Sequence, residues 1–251
     1  MPLSELDLSA ILVIAFAYLL AGVAKGSVGF GLPLIAVPIV ASIVPVPTAI
    51  ALTLAPILIS NIHQAASAAR PATALRRFWP LILCMVAGSA LGAQILTRID
   101  RDSISITVGV LLLGFVASRG LAARLDVPRR AERWLNPVVG LASGLLGGVS
   151  GMLGPLFLIY LVALRLTRDA FVGTVSVFYL IGILPLYVTL IASGVIARNE
   201  AIISLLACAP LFAGIWAGVW LRGRVSQAGF MRLLLAMICL VGLNLIRRGF
   251  L

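Results

Sequence analysis

The 251 residues are 62% hydrophobic and 11% charged, with a mean hydropathy of +1.17, far from an average soluble domain. A net charge of +11 would suggest nucleic acid in a soluble protein, but here the cations flank apolar segments, where basic residues set orientation and meet anionic lipid. A soluble domain is excluded because the longest polar stretch, Arg119 to Arg133, is too short to bury a core. The fold class predicted is all-α, a polytopic transmembrane helical bundle.

In chain order, the N-terminus carries Glu5 and Asp7 and lacks the basic region of a secretory signal, so the first helix is expected to stay in the bundle. Apolar segments follow at 8–24, 30–44, 48–69, 78–97 and 103–118. The basic stretch 119–135 reads as a cytoplasmic linker between a first transmembrane repeat, 1–118, and a second, 136–251. The second repeat shows segments at 136–149, 154–166, 170–193, 199–221 and 230–246. Eight to ten segments are therefore expected, the first two of each repeat being short.

Those short segments meet at a motif that occurs twice. Gly22, Gly26, Gly29, Pro33 and Leu34 return as Gly144, Gly148, Gly151, Pro155 and Leu156, each 122 residues later. Glycine in a helix interior costs about 1 kcal/mol and proline about 3, so both segments should be broken or re-entrant at the motif. Paired interruptions of this kind point to a transporter's binding site. A second match, Gly88, Gly92 and Arg98 against Gly214, Gly218 and Arg224 at an offset of 126, reads as close helix packing through small residues. Together they indicate duplication. An odd number of crossings per half would make the repeats inverted, the plan of many secondary transporters.

Lys25 is the only lysine and lies inside the first motif, where the chain is expected to unwind. It would offer an ammonium to an anion held among exposed amides at half-helix N-termini. The alternative is that the first helix ends near residue 24 and Lys25 snorkels to water. Its counterpart is Gly147. Gly26, Ser27, Gly29 and Gly31 in the first motif, and Gly148, Ser150 and Gly151 in the second, complete the expected cradle. The two serines could equally bond a local carbonyl. Segment 48–69 adds Ser60, Asn61, His63 and Gln64 near its expected middle. Polar groups so placed face the bundle interior or a wet cavity, the alternative being hydrogen bonds between helices. Thr174, Ser176 and Tyr179 lie in the corresponding segment of the second half, and Thr174 joins the substrate-binding candidates.

The acids Glu5, Asp7, Asp100, Asp102, Asp126, Glu132, Asp169 and Glu200 fall in loops or at segment ends. A carboxylate-caged sodium site or an acidic proton relay is thus disfavoured, and an anionic substrate is favoured. His63 is the only histidine, and Cys84, Cys208 and Cys239 lack CxxC spacing, so no metal site and no cofactor is expected. Catalytic residues are likewise not expected, since no nucleophile stands with a base and an orienting group. The chain reads as not an enzyme. Most arginines fall on the side that holds the 119–135 linker, which the positive-inside rule makes cytoplasmic. Arg247 and Arg248 run against the outward C-terminus that follows.

The two motifs, Gly26 to Gly31 with Pro33 and Pro38, and Gly144 to Pro155, resemble those of the TauE/SafE family of sulfite-exporter-like membrane proteins. Asn61 and Gln64 are similar to the Asn-x-x-Gln of that family's third segment. The resemblance covers roughly 8–246 and implies transport of small anions, including sulfite, sulfonates and organic acids.

The function expected is a secondary transporter of a small anion across the bacterial inner (plasma) membrane, with the substrate held between the two motifs. Its partners would be the anion and the lipid bilayer, with a proton as candidate coupling ion and a homo-oligomer left open. Nucleic acid is not expected. The alternatives are a passive anion channel and a non-transporting scaffold subunit.

Overall fold

A computed structural model describes residues 7–67, 71–122, 127–221 and 227–250. Those residues form thirteen α-helices and no strand. Five continuous or nearly continuous helical stretches are long and apolar enough to cross a membrane: Leu8–Val28, Val46–Ala66, Ala72–Arg98, Asp169–Ala192 and Arg198–Leu221. Leu12, Phe16, Leu83, Val188 and Trp216 all stand exposed on such stretches. Outward apolar side chains are what lipid-solvated helices require. The protein is an all-helical, multi-pass membrane protein.

Glu5 and Asp126 among the acids, and Arg224 of the second motif match, lie outside the described residues.

Two compact units make up the chain, and neither is a sequence half. The first contains Met1–Ile57, Ile99–Val116 and Ser193–Leu251. It holds α1 (Leu8–Val28), α2 (Leu32–Ala41), α3 (Val46–Ala51), the first turn of α4 (Leu54–Ala66), most of α6 (Arg101–Ala122), α11 (Arg198–Leu206), α12 (Cys208–Leu221) and α13 (Gln227–Gly249). The second contains Leu58–Arg98 and Ala117–Ala192. It holds the rest of α4, α5 (Pro71–Arg98), α7 (Arg129–Ser150), α8 (Gly154–Ala163), α9 (Arg168–Gly182) and α10 (Leu184–Ala192).

Each unit is built on one glycine-seamed helix pair. In the first, a Cβ on Gly22 would overlap the Leu211 carbonyl oxygen, and one on Gly26 the Ile215 carbonyl oxygen. In the second, Gly144 meets Met85 and Gly148 meets Ser89 in the same way. Partner numbers rise together along both helices, so α1 runs parallel to α12 and α7 runs parallel to α5. The small residues let the backbones touch, as close packing in lipid demands.

Helices break where prolines remove a backbone donor and crowd the carbonyl four residues earlier. The gaps at Leu52–Thr53, Ile183 and Ala207 each lie two to four residues before Pro56, Pro185 or Pro210. The expected single segment 48–69 is therefore two helices, ending at Ala66. Helix α5 kinks at Phe78, with φ −111° and ψ 19°, beside Pro80. Only the second helix of each motif pair is short: α2 and α8 have 10 residues, whereas α1 has 21 and α7 has 22. The expected linker is partly helical, because α7 begins at Arg129.

Candidate functional site

Both motifs break their helix, and they do so at matching glycines. Helix α1 ends at Gly29, whose φ of 91° is left-handed and whose amide donates to the Lys25 carbonyl at 2.8 Å. Gly31, at φ 112°, then turns the chain into α2, with Pro33 in its first turn. Helix α7 ends at Gly151, φ 71°, whose amide donates to the Gly147 carbonyl at 2.7 Å. Pro155 opens α8 four residues on. Left-handed glycine at the end and proline near the next start are the least strained way to stop and restart a helix.

Lys25 is in the last turn of α1, not in unwound chain. The helix continues to Val28 because the left-handed residue that stops it is Gly29. The lysine is buried, 6% exposed. Gly26 is committed to the α12 contact. The Ser27 hydroxyl donates to Val23 at 2.7 Å and lies 3.2 Å from the Gly218 carbonyl, tying α1 to α12.

In the second unit, Gly148 is likewise part of a helix contact, with α5. Ser150 donates to the Leu146 carbonyl at 2.7 Å and accepts the Met152 amide at 3.2 Å across the break. Both motif serines thus follow the local-carbonyl alternative for their protons, which leaves oxygen lone pairs but no free donor.

Segment 48–69 was expected to carry its polar cluster at mid-helix, and here the structure differs. Since α4 ends at Ala66, His63 is in its last turn and exposed, whereas Ser60 and Asn61 are 2% exposed. Gln64 accepts a hydrogen bond from Ser176 at 2.9 Å. That bond joins the polar positions of α4 and α9, which the sequence presents 112 residues apart. Thr174 is buried, donates to the Ala170 carbonyl at 2.7 Å, and lines a cavity of about 310 Å³. Thr73, Arg77, Phe78, Thr167 and Asp169 share that cavity.

Arg77 and Glu132 are a feature the sequence reading missed. Glu132 was expected in a solvated linker, but it sits in the first turn of α7 and is 8% exposed. It accepts two hydrogen bonds from Arg77, from Nε at 2.9 Å and Nη2 at 2.6 Å. The signal was available: Glu132 is the one acid among Arg129, Arg130 and Arg133, at a helix start where a carboxylate is favoured.

A family model described as sulfite exporter TauE/SafE matches residues 14–245, nearly the whole chain. No curated protein and no solved structure matches.

Proposed function

Since this chain belongs to the sulfite exporter TauE/SafE family, we propose that it is a secondary transporter of one small anion: a sulfur oxyanion, an organosulfonate or a short organic acid. In this reading it works in the bacterial inner membrane. The observation that carries it is Lys25, a lysine 6% exposed, one turn before a left-handed break and the uncapped start of α2. An ammonium beside first-turn amides is a chemistry that selects anions. The break beside Lys25 offers the first-turn amides of α2, and Asn61, His63, Gln64 and Thr174 are the further polar candidates of this reading.

Lys25→Ala is the test. It should weaken anion binding by about 2–5 kcal/mol, the usual loss when one partner of a desolvated charge pair is removed. Thermal-shift titration with sulfite, sulfate, taurine, sulfoacetate and short carboxylates gives the readout, since a ligand raises native stability by RT ln(1 + [L]/Kd). Lys25→Arg should also bind poorly, because a planar fork needs more room than an ammonium. Transport by the alanine variant at the unsubstituted rate would make Lys25 purely structural. In the same reading the coupling ion is a proton, carried on the substrate or on His63. His63→Gln should then keep substrate binding and lose the pH dependence of transport. Flux that ignores an imposed ion gradient would instead favour the channel.

A further inference from the structure

The cavity of the second unit lies between the first turns of α5 and α9 and holds about 310 Å³, the lower end of small-molecule pockets. Phe78 and Thr174 on its wall are buried, whereas Thr73, Thr167 and Asp169 are exposed, so it is a recess that opens past them. Two opposite charges line this recess without meeting. Arg77 gives Nε and Nη2 to Glu132 at 2.9 and 2.6 Å, and its guanidinium carbon stands 5.0 Å from the centre of the Phe78 ring. One edge and one face of the guanidinium are thereby fixed, and its Nη1 end meets no acceptor among the described residues. Asp169 lines the same recess, and the ion pair among the described residues is Arg77 with Glu132, not with Asp169. The Thr174 hydroxyl gives its proton to the Ala170 carbonyl at 2.7 Å, so towards the recess its oxygen can only accept.

Glu132 already offsets the charge of Arg77, so a simple anion entering the recess would be repelled by Asp169, and a simple cation would meet the guanidinium. A molecule with an oxyanion at one end and an ammonium at the other matches both. The first half shows that the fold does not need the acidic side. Helix α3 begins 122 residues before α9, and at that offset Pro47 and Leu52 stand where the second half has Asp169 and Thr174.

We infer that this recess binds a short zwitterion, an aminosulfonate or amino acid with its ammonium and oxyanion at opposite ends. The oxyanion accepts from Arg77 Nη1, and the ammonium donates to the Asp169 carboxylate and the Thr174 hydroxyl oxygen. The inference rests on the transport reading above and narrows its organosulfonates and organic acids to those that carry an amino group.

The experiment is a thermal-shift titration of the full-length protein in detergent with taurine, with isethionate (the same sulfonate with a hydroxyl in place of the ammonium) and with sulfoacetate. Taurine should stabilise the unsubstituted chain at lower concentration than the other two. Asp169→Asn keeps the size of the side chain and removes its charge. In that variant about tenfold more taurine should be needed for the same shift, while the isethionate dependence holds or improves because a repelling charge is gone. A lower ligand-free midpoint with unaltered taurine dependence would mean that Asp169 serves only the start of α9, where a carboxylate is favoured, and would overturn the zwitterion site. Stabilisation by isethionate and sulfoacetate but not by taurine would overturn the site and leave the transport reading standing. Stabilisation by none of the three would overturn the transport reading for organosulfonates, and the site with it.

Discussion

Lys25 and Gly147 occupy corresponding positions, and so do Gly31 and Leu153. In the second half the Leu153 side chain covers Gly147, its Cγ 2.7 Å from where a Cβ would stand. In the first half the covering residue is Gly31, which at φ 112° has to be glycine and has no side chain to offer. The volume that leucine takes in one half is therefore open to a lysine in the other. Gly147→Lys should cost about 1–3 kcal/mol from overpacking, and the double variant with Leu153→Gly should recover most of it. Equal thermal midpoints for the single and double variants would rule out this exchange. Arg248 is another residue with a local explanation. It donates to the Ala41 and Ser42 carbonyls at 3.0 and 2.6 Å, capping the end of α2. A cation that fits poorly with the proposed orientation thus has a structural partner. Arg248→Ala should lower stability by about 1 kcal/mol, read as a fall in the unfolding midpoint. At the helix starts, the Ala10 amide beside Asp7 and the Ser103 amide beside Asp100 hold these two carboxyls below the usual carboxylate range. Their contribution is full above the unfolded-state pKa and is lost as pH falls through the lower folded-state value. Asp100→Asn should accordingly flatten the acid limb of a stability profile.

At the scale of elements, the two glycine-seamed pairs are alike residue by residue. Gly22, Gly26, Gly214 and Gly218 face Leu211, Ile215, Leu19 and Val23; their counterparts Gly144, Gly148, Gly88 and Gly92 face Met85, Ser89, Leu141 and Leu145. Every one of these partners is itself displaced by 122 or 126 residues. Register this closely repeated is a strong mark of duplication. Gly26→Ala and Gly148→Ala should therefore be about equally damaging, each by about 1–3 kcal/mol, because a methyl group would have to displace backbone and not a flexible side chain. Unequal losses would show that one seam relaxes more readily. Helix α5 carries a second device. Its kink at Phe78 adjoins Arg77, which reaches Glu132 on α7. Arg77 is a third exposed and Glu132 a tenth, so Glu132→Ala should cost about 2 kcal/mol, between the values of exposed and fully buried pairs. Restoration of the midpoint by the exchange Arg77→Glu with Glu132→Arg would identify the pair as its source.

For the whole molecule, the consequence of these pairings is interleaving. Helix α1 of the first half packs on α12 of the second, and α7 of the second packs on α5 of the first. Neither half can complete its own unit, because each glycine-motif helix finds its flat partner in the other half. Expression of 1–118 alone should give a chain that inserts but is cleaved rapidly, and co-expression with 119–251 should protect it. The proposed orientation has its own test in single cysteines at residues 122 and 131, which should label from the cytoplasmic side.

Class and the two helix breaks were legible in the sequence because they depend on local chemistry. Apolar length requires lipid, and glycine with proline at fixed spacing stops a helix wherever it occurs. The small-residue seams were legible as well, since Gly-x3-Gly has few uses in lipid other than backbone contact. Which seam meets which was not, because pairing partners lie far apart in the chain and both halves carry equivalent surfaces. The same limit hid the Arg77–Glu132 pair and the meeting of Gln64 with Ser176, each a contact between residues more than fifty positions apart. Whether Lys25 stays in the helix, and what covers it, was likewise decided in three dimensions: the stop is set by the left-handed turn at Gly29, and the space by the missing side chain at Gly31.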